Sequence, residues 1–195
     1  SSREGSLEAP ERQPLDWKNP DFYDRDSLHA EMERVFDVCH SCRRCVSLCD
    51  SFPTLFDLID ESDTFEVDGV DKADYNKVVE QCFLCDLCAE TKCPYVPPHE
   101  WAIDFPHLML RYRAKLFKQG RVSWINRRIT ETDKNGKLGC NFSTVVNSAL
   151  KEKKFVRPIM GTVLGIHEEA ALPTFENQRL TEKAVSQSLK IDSSA

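Results

Sequence analysis

Leu28, Met32, Val35, Phe36 and Cys39 recur at intervals of three and four residues, the spacing that gathers side chains on one face of a helix. Asp26 or Ser27, just upstream, is a candidate N-cap. After Cys49, "SFPTLFDLIDES" predicts a short helix starting near Pro53, a residue suited to a first turn. "TFEVDGVDK" reads as a loop that turns at Asp68-Gly69. A second short helix is predicted from Asp74 to Gln81, with Tyr75, Val78 and Val79 facing inward. "PYVPPHEW" is extended, because its prolines remove donors and fix φ. Asp104 then caps a helix with Pro106 in its first turn, which runs through "HLMLRYRAKLFKQ" and stops at Gly120. Shorter helices are predicted over 122–132, 143–152 and 158–164, ahead of a polar, frayed end, "NQRLTEKAVSQSLKIDSSA". Strand-like alternation is scarce. The expected class is all-α with long loops: an irregular arm over 1–25, a helical unit over 26–120, and short helices with a polar tail over 121–195. Leu15, Trp17, Phe22 and Tyr23 give the arm two readings, docking through aromatics or a solvated tail.

A net charge of -6 argues against nucleic acid as the main partner, which needs a broad basic face. No apolar run approaches the roughly 18 to 20 residues that span a bilayer. The N-terminal "SSREGSLEAPERQP" has no apolar core, so no signal peptide is expected and the expected location is the cytoplasm. Peripheral contact at the inner face of a membrane stays open.

Cysteine usage changes the picture most. Of nine cysteines, eight fall in two tight runs, "CHSCRRCVSLCD" from Cys39 and "CFLCDLCAETKCPY" from Cys82. Disulfide scaffolds spread their cysteines to staple distant segments, so reduced thiols held for metal are the better reading. Zinc sites use separated pairs, whereas each run here is a C-x2-C-x2-C triplet with a fourth cysteine close behind. That is the spacing of [4Fe–4S] ferredoxins, in which the fourth cysteine of each run ligates the other cluster. On that pattern Cys39, Cys42, Cys45 and Cys93 hold one cluster, and Cys82, Cys85, Cys88 and Cys49 hold the other. The alternative leaves Cys49 and Cys93 with their local clusters.

The two runs, joined by a mainly helical link and followed by the "DFPHLMLRYR" helix, resemble the α-helical ferredoxin family over about residues 28–118. Its members include the C subunit of heterodisulfide reductase and the iron–sulfur subunit of anaerobic glycerol-3-phosphate dehydrogenase. The resemblance implies two [4Fe–4S] clusters on paired helical units. It also implies a role in passing single electrons from a flavoprotein dehydrogenase or reductase subunit to another redox centre or a quinone, within a hetero-oligomer. Two departures from the family pattern stand out. Cys49 is followed by Asp50 where the family has proline, and Cys88-x4-Cys93 is one residue longer than usual.

No phosphate-binding glycine loop, nucleophile elbow or cysteine–base pair is present, so no catalytic site on this chain is expected. The alternative is part of a disulfide or quinone reductase whose active site lies on a partner chain. Cys140, isolated, reads as structural. His40 reads as a solvent-facing loop residue, and His99, His107 and His167, none of them paired with a Cys or carboxylate at metal spacing, as structural or surface residues. Arg111, Arg113, Lys115 and Lys118 read as a solvated helix face in preference to a membrane or partner contact. Arg43 and Arg44 lie in the first run while Asp86 and Glu90 flank the second, which predicts a higher reduction potential for the first cluster.

Overall fold

In a computed structural model of the chain, residues 5–6, 8–152 and 154–185 are described. They form helices and loops without strands, as the periodicity predicts. The chain divides into two compact units, residues 1–121 and 122–195.

The first unit is built on four helices: α1 (Arg25–Cys42), α2 (Ser51–Asp60), α3 (Tyr75–Glu80) and α4 (Phe105–Lys118). Asp24, rather than Asp26 or Ser27, caps α1, its side chain accepting from Ser27 N at 2.7 Å. A 3-10 turn over Pro20–Tyr23 ends there in extended backbone, which places Asp24 in the conformation an N-cap needs. The α1 stripe buries Leu28, Met32, Val35 and Phe36 against Phe52, Leu55, Phe56 and Ile59 of α2. Tyr75, Val78 and Val79 of α3 and Phe105, Leu108 and Met109 of α4 close the same core. Ring centroids of Phe52 and Phe105 lie 4.7 Å apart, and those of Phe36 and Tyr75 5.1 Å apart, so the aromatics interlock at the centre. Ser51, fully buried, donates its hydroxyl to Val78 O at 2.6 Å and ties the start of α2 to α3. Asp104 caps α4 as expected, accepting from His107 N at 3.1 Å, and Gly120 follows the helix with φ +68.

The arm docks, chiefly by backbone and charge. Ser6 N donates to Pro94 O and Glu11 N to Pro97 O. Phe22 is buried, whereas Trp17 is 59% exposed.

The second unit holds α5 (Trp124–Thr130), α6 (Thr132–Asn141), α7 (Ser143–Lys151) and α8 (Val156–Leu164). The sequence predicts three of these. It hides α6, "TDKNGKLGCN", because two glycines and a polar run leave no apolar stripe to read. Gly139 has a packing reason: a Cβ there would lie 2.2 Å from the Phe175 ring. The polar end is helical over 180–185, and positions 186–195 lie outside the described residues.

No helix of the described residues is long and apolar enough to cross a membrane.

Candidate metal centre

Cys39 and Cys42 occupy the last turn of α1, three residues apart and therefore on one side. The helix persists three residues past Cys39. Arg43, at φ 51, then turns the chain in the left-handed region, its N–H bonding Cys39 O at 2.8 Å, and Cys45 is carried back toward the same side. The second run uses the same device twice, at Leu84 (φ 54) and Asp86 (φ 62). Side chains other than glycine or asparagine rarely adopt this conformation, which costs of order 1 kcal/mol or more each. Both triplets thus accept backbone strain where the chain curls between its cysteines.

Cys88 opens a single π turn, Cys88–Lys92, closed by Cys93 N donating to Cys88 O at 2.8 Å. A five-residue hydrogen-bonded step accommodates one residue more than an α turn, which absorbs the extra residue of Cys88-x4-Cys93. Asp50 stands just before α2 with φ -68, a proline-like value.

Tertiary packing then mixes the runs. Cys39, Cys42 and Cys45 line one small apolar cavity together with Cys93, walled by Val38, Phe52, Tyr95 and Ile103. A neighbouring cavity is bordered by Cys39, Cys45, Cys88 and Cys93, with Ala89, Val96 and Phe105. Cys82 is buried beside Cys49 and Cys85, and Cys88 feels Cys45, Cys82 and Cys49. Cys93 therefore borders the same space as the first triplet, as does Cys88, and Cys49 lies close enough to Cys45, Cys82 and Cys88 to act on all three. Cys85 is exposed, flanked by the exposed Phe83 and Leu87.

Burial raises the thiol pKa at every shifted position. Cys39 is pushed well above the usual thiol value by desolvation first and then by Cys93, Cys45, Cys88 and Cys42. Cys45 is pushed to about 12 by desolvation, then by Cys93, Cys42 and Cys49, with Lys92 opposing. Cys88 rises for the same leading reason. At Cys82 and Cys93 desolvation is again largest, partly offset by backbone N–H donors: Leu84 to Cys82 at 3.5 Å, and Tyr95 and Val96 to Cys93. So many thiolates cannot coexist in an apolar setting without added positive charge, which is what coordinated iron supplies. The donor set fits such a group chemically.

Among the described residues, no three His, Cys, Asp or Glu side chains converge tightly enough to hold one metal ion. Thiolates sharing a single tetrahedral ion lie only about 3.8 Å apart, from a metal–sulfur distance of about 2.3 Å. The cysteines instead ring a cavity.

Around the cysteines, charge is paired off. Arg43 meets Asp60 and the ring of His40, while Asp86, Glu90 and Asp104 all face Arg12, at 3.3, 3.6 and 2.9 Å. The bare charge contrast between the runs is thus reduced, while Arg44 borders the first cavity and Lys92 acts on Cys45. His40 lies on α1, half-buried against Phe56 and 3.1 Å from Asp60, so it is no loop residue. His107 Nδ1 lies 3.0 Å from Asp104 Oδ2, at the first turn of α4. His99 packs on Tyr95 and Trp101, and His167 accepts from Glu169 N.

Arg111, Arg113 and Lys115 of α4 turn inward, contrary to the solvated face expected of them, while Lys118 stays exposed. Arg111 donates to Phe22 O at 2.7 Å, and Lys118 lies 3.7 Å from the Tyr23 ring centre. Lys115 is 6% exposed. Arg113 donates to Val79 O at 2.6 Å and to Cys82 O at 2.5 Å, holding the carbonyls that lead into the second run. Sequence spacing had no means of finding Arg12 or Arg113, because their partners lie far along the chain. Cys140 is half-buried in the second unit with no other cysteine beside it among the described residues.

No family model and no solved structure matches the chain. It is similar to citrate utilization protein B of Escherichia coli, 35% identical over 89 residues. That match covers 46% of this chain and 21% of the relative, so the chain spans about a fifth of that protein.

Proposed function

We propose that the chain is an electron-transfer subunit holding two [4Fe–4S] clusters, one on Cys39, Cys42, Cys45 and Cys93 and the other on Cys82, Cys85, Cys88 and Cys49. The reading includes the α-helical ferredoxin fold and the kinship with heterodisulfide reductase C-type subunits. The observation that carries it is the convergence of the two runs: Cys93 lines the cavity of the first triplet, and Cys49 lies near Cys82 and Cys88 as well as Cys45. When bound, such clusters supply reversible one-electron chemistry. The chain's own residues supply the rest. Thiolates ligate, Phe52, Ile103 and Phe105 exclude water, and backbone N–H groups at Leu84, Tyr95 and Val96 stabilise negative charge on sulfur. A flavoprotein donor on one side and a redox partner or quinone on the other complete the reading, with no catalytic site on this chain. The relative's name ties that protein to citrate, and the reading here rests on the cysteines instead.

Metal and sulfide analysis of anaerobically purified protein tests it. About eight irons and eight sulfides per chain are expected. Stoichiometric zinc with little iron would overturn it.

A further inference from the structure

The second unit contains a buried cation with no anion of its own. Arg157, near the start of α8, is 6% exposed, and no carboxylate pairs with it among the described residues. Its Nε donates to Glu168 O at 2.7 Å and its Nη2 to Ala170 O, which leaves Nη1 buried without an acceptor among the described residues. A buried N–H left unpaired costs of order 1–3 kcal/mol, more on a charged group. The carboxylate of Glu152 is turned instead to the backbone N–H groups of Lys154, Phe155 and Val156.

Arg157 lines a cavity of about 70 Å³, more than a single water needs. Lys151, exposed at the end of α7, and Thr174 border the same space. Asn147 closes one wall rigidly, its amide donating to Phe175 O and accepting from Phe175 N, both at 2.8 Å. The space is therefore bordered by a guanidinium held by two backbone carbonyls, an exposed ammonium and a hydroxyl.

We propose that this cavity binds the carboxylate group of a small organic acid. A single free guanidinium edge with one lysine matches a planar monoanionic group, whereas a phosphate, with more charge and more acceptor oxygens, calls for more donors than these. The assignment is independent of the cysteine clusters.

Isothermal titration of the whole chain at constant ionic strength, with acetate, succinate and inorganic phosphate in turn, tests it. One-site binding of the carboxylates is expected, weakened about tenfold or more in Lys151→Ala and abolished in Arg157→Gln. Because Lys151 is exposed, that variant keeps the test valid if Arg157→Gln fails to fold. Absence of carboxylate binding, tighter binding of phosphate, or affinity unchanged in Lys151→Ala would overturn the assignment.

Discussion

Arg12 Nε donates to Asp104 Oδ2 at 2.9 Å, joining the N-terminal arm to the residue that caps α4. The same guanidinium reaches Asp86 and Glu90 in the second cysteine run. One arginine thus holds three carboxylates, two of them inside the stretch that curls around Cys85 and Cys88.

Arg12→Ala should lower stability by about 1.5–3 kcal/mol, the range for charge-assisted hydrogen bonds. Urea denaturation measures the loss, and limited proteolysis should show faster cleavage within the first twenty or so residues. If the proposed clusters are present, the same variant should lower the potential of the one on Cys82, Cys85 and Cys88, because Asp86 and Glu90 lose their counter-charge. A redox titration in which neither potential moves would count against the assignment.

The crossing of the fourth ligands makes opposite predictions for two variants. Cys93→Ala should alter the spectroscopic signal of the cluster on Cys39, Cys42 and Cys45, and Cys49→Ala that of the cluster on Cys82, Cys85 and Cys88. Electron paramagnetic resonance of the reduced variants separates the two. Local ligation would exchange the outcomes.

Asp50 has a proline-like φ of -68, and its backbone N–H makes no hydrogen bond among the described residues. Asp50→Pro should therefore raise stability by about 0.4–1 kcal/mol through the unfolded chain. A fall in denaturation midpoint would show that Cys49 cannot accept a following proline.

His29 has its pKa lowered from the usual 6.5, first by burial and then by Lys115, Lys72 and Arg25. The unfolded chain consequently binds this proton more readily than the folded one. The contribution is present above pH 6.5 and is lost as pH falls through 6.5 toward the lower folded value. Thermal midpoints should drop between pH 7 and 5, and His29→Gln should flatten that slope.

Helix existence was largely legible beforehand, since α1, α2, α3 and α4 each carry an apolar stripe or a capping residue that local physics reads directly. α6 was not legible, because Gly136, Gly139 and its polar run carry no periodicity, and its reason lies across space at Phe175. Arg111 and Arg113 of α4 were misread for a related reason. Long cationic side chains look solvated in any sequence, and only the positions of Phe22 O, Val79 O and Cys82 O turn them inward.

The all-α class and the two cysteine triplets, with the class of cofactor that their spacing suggests, could be read along the chain, because periodicity and short-range spacing are local properties. Tertiary structure alone decided which thiols share a cavity and how the π turn absorbs the extra residue before Cys93. It also decided that Arg43 and Arg12 neutralise the charges beside the two runs. Those outcomes depend on contacts between distant segments, and their energies do not exist until α1, α2 and α4 pack and bring the runs together.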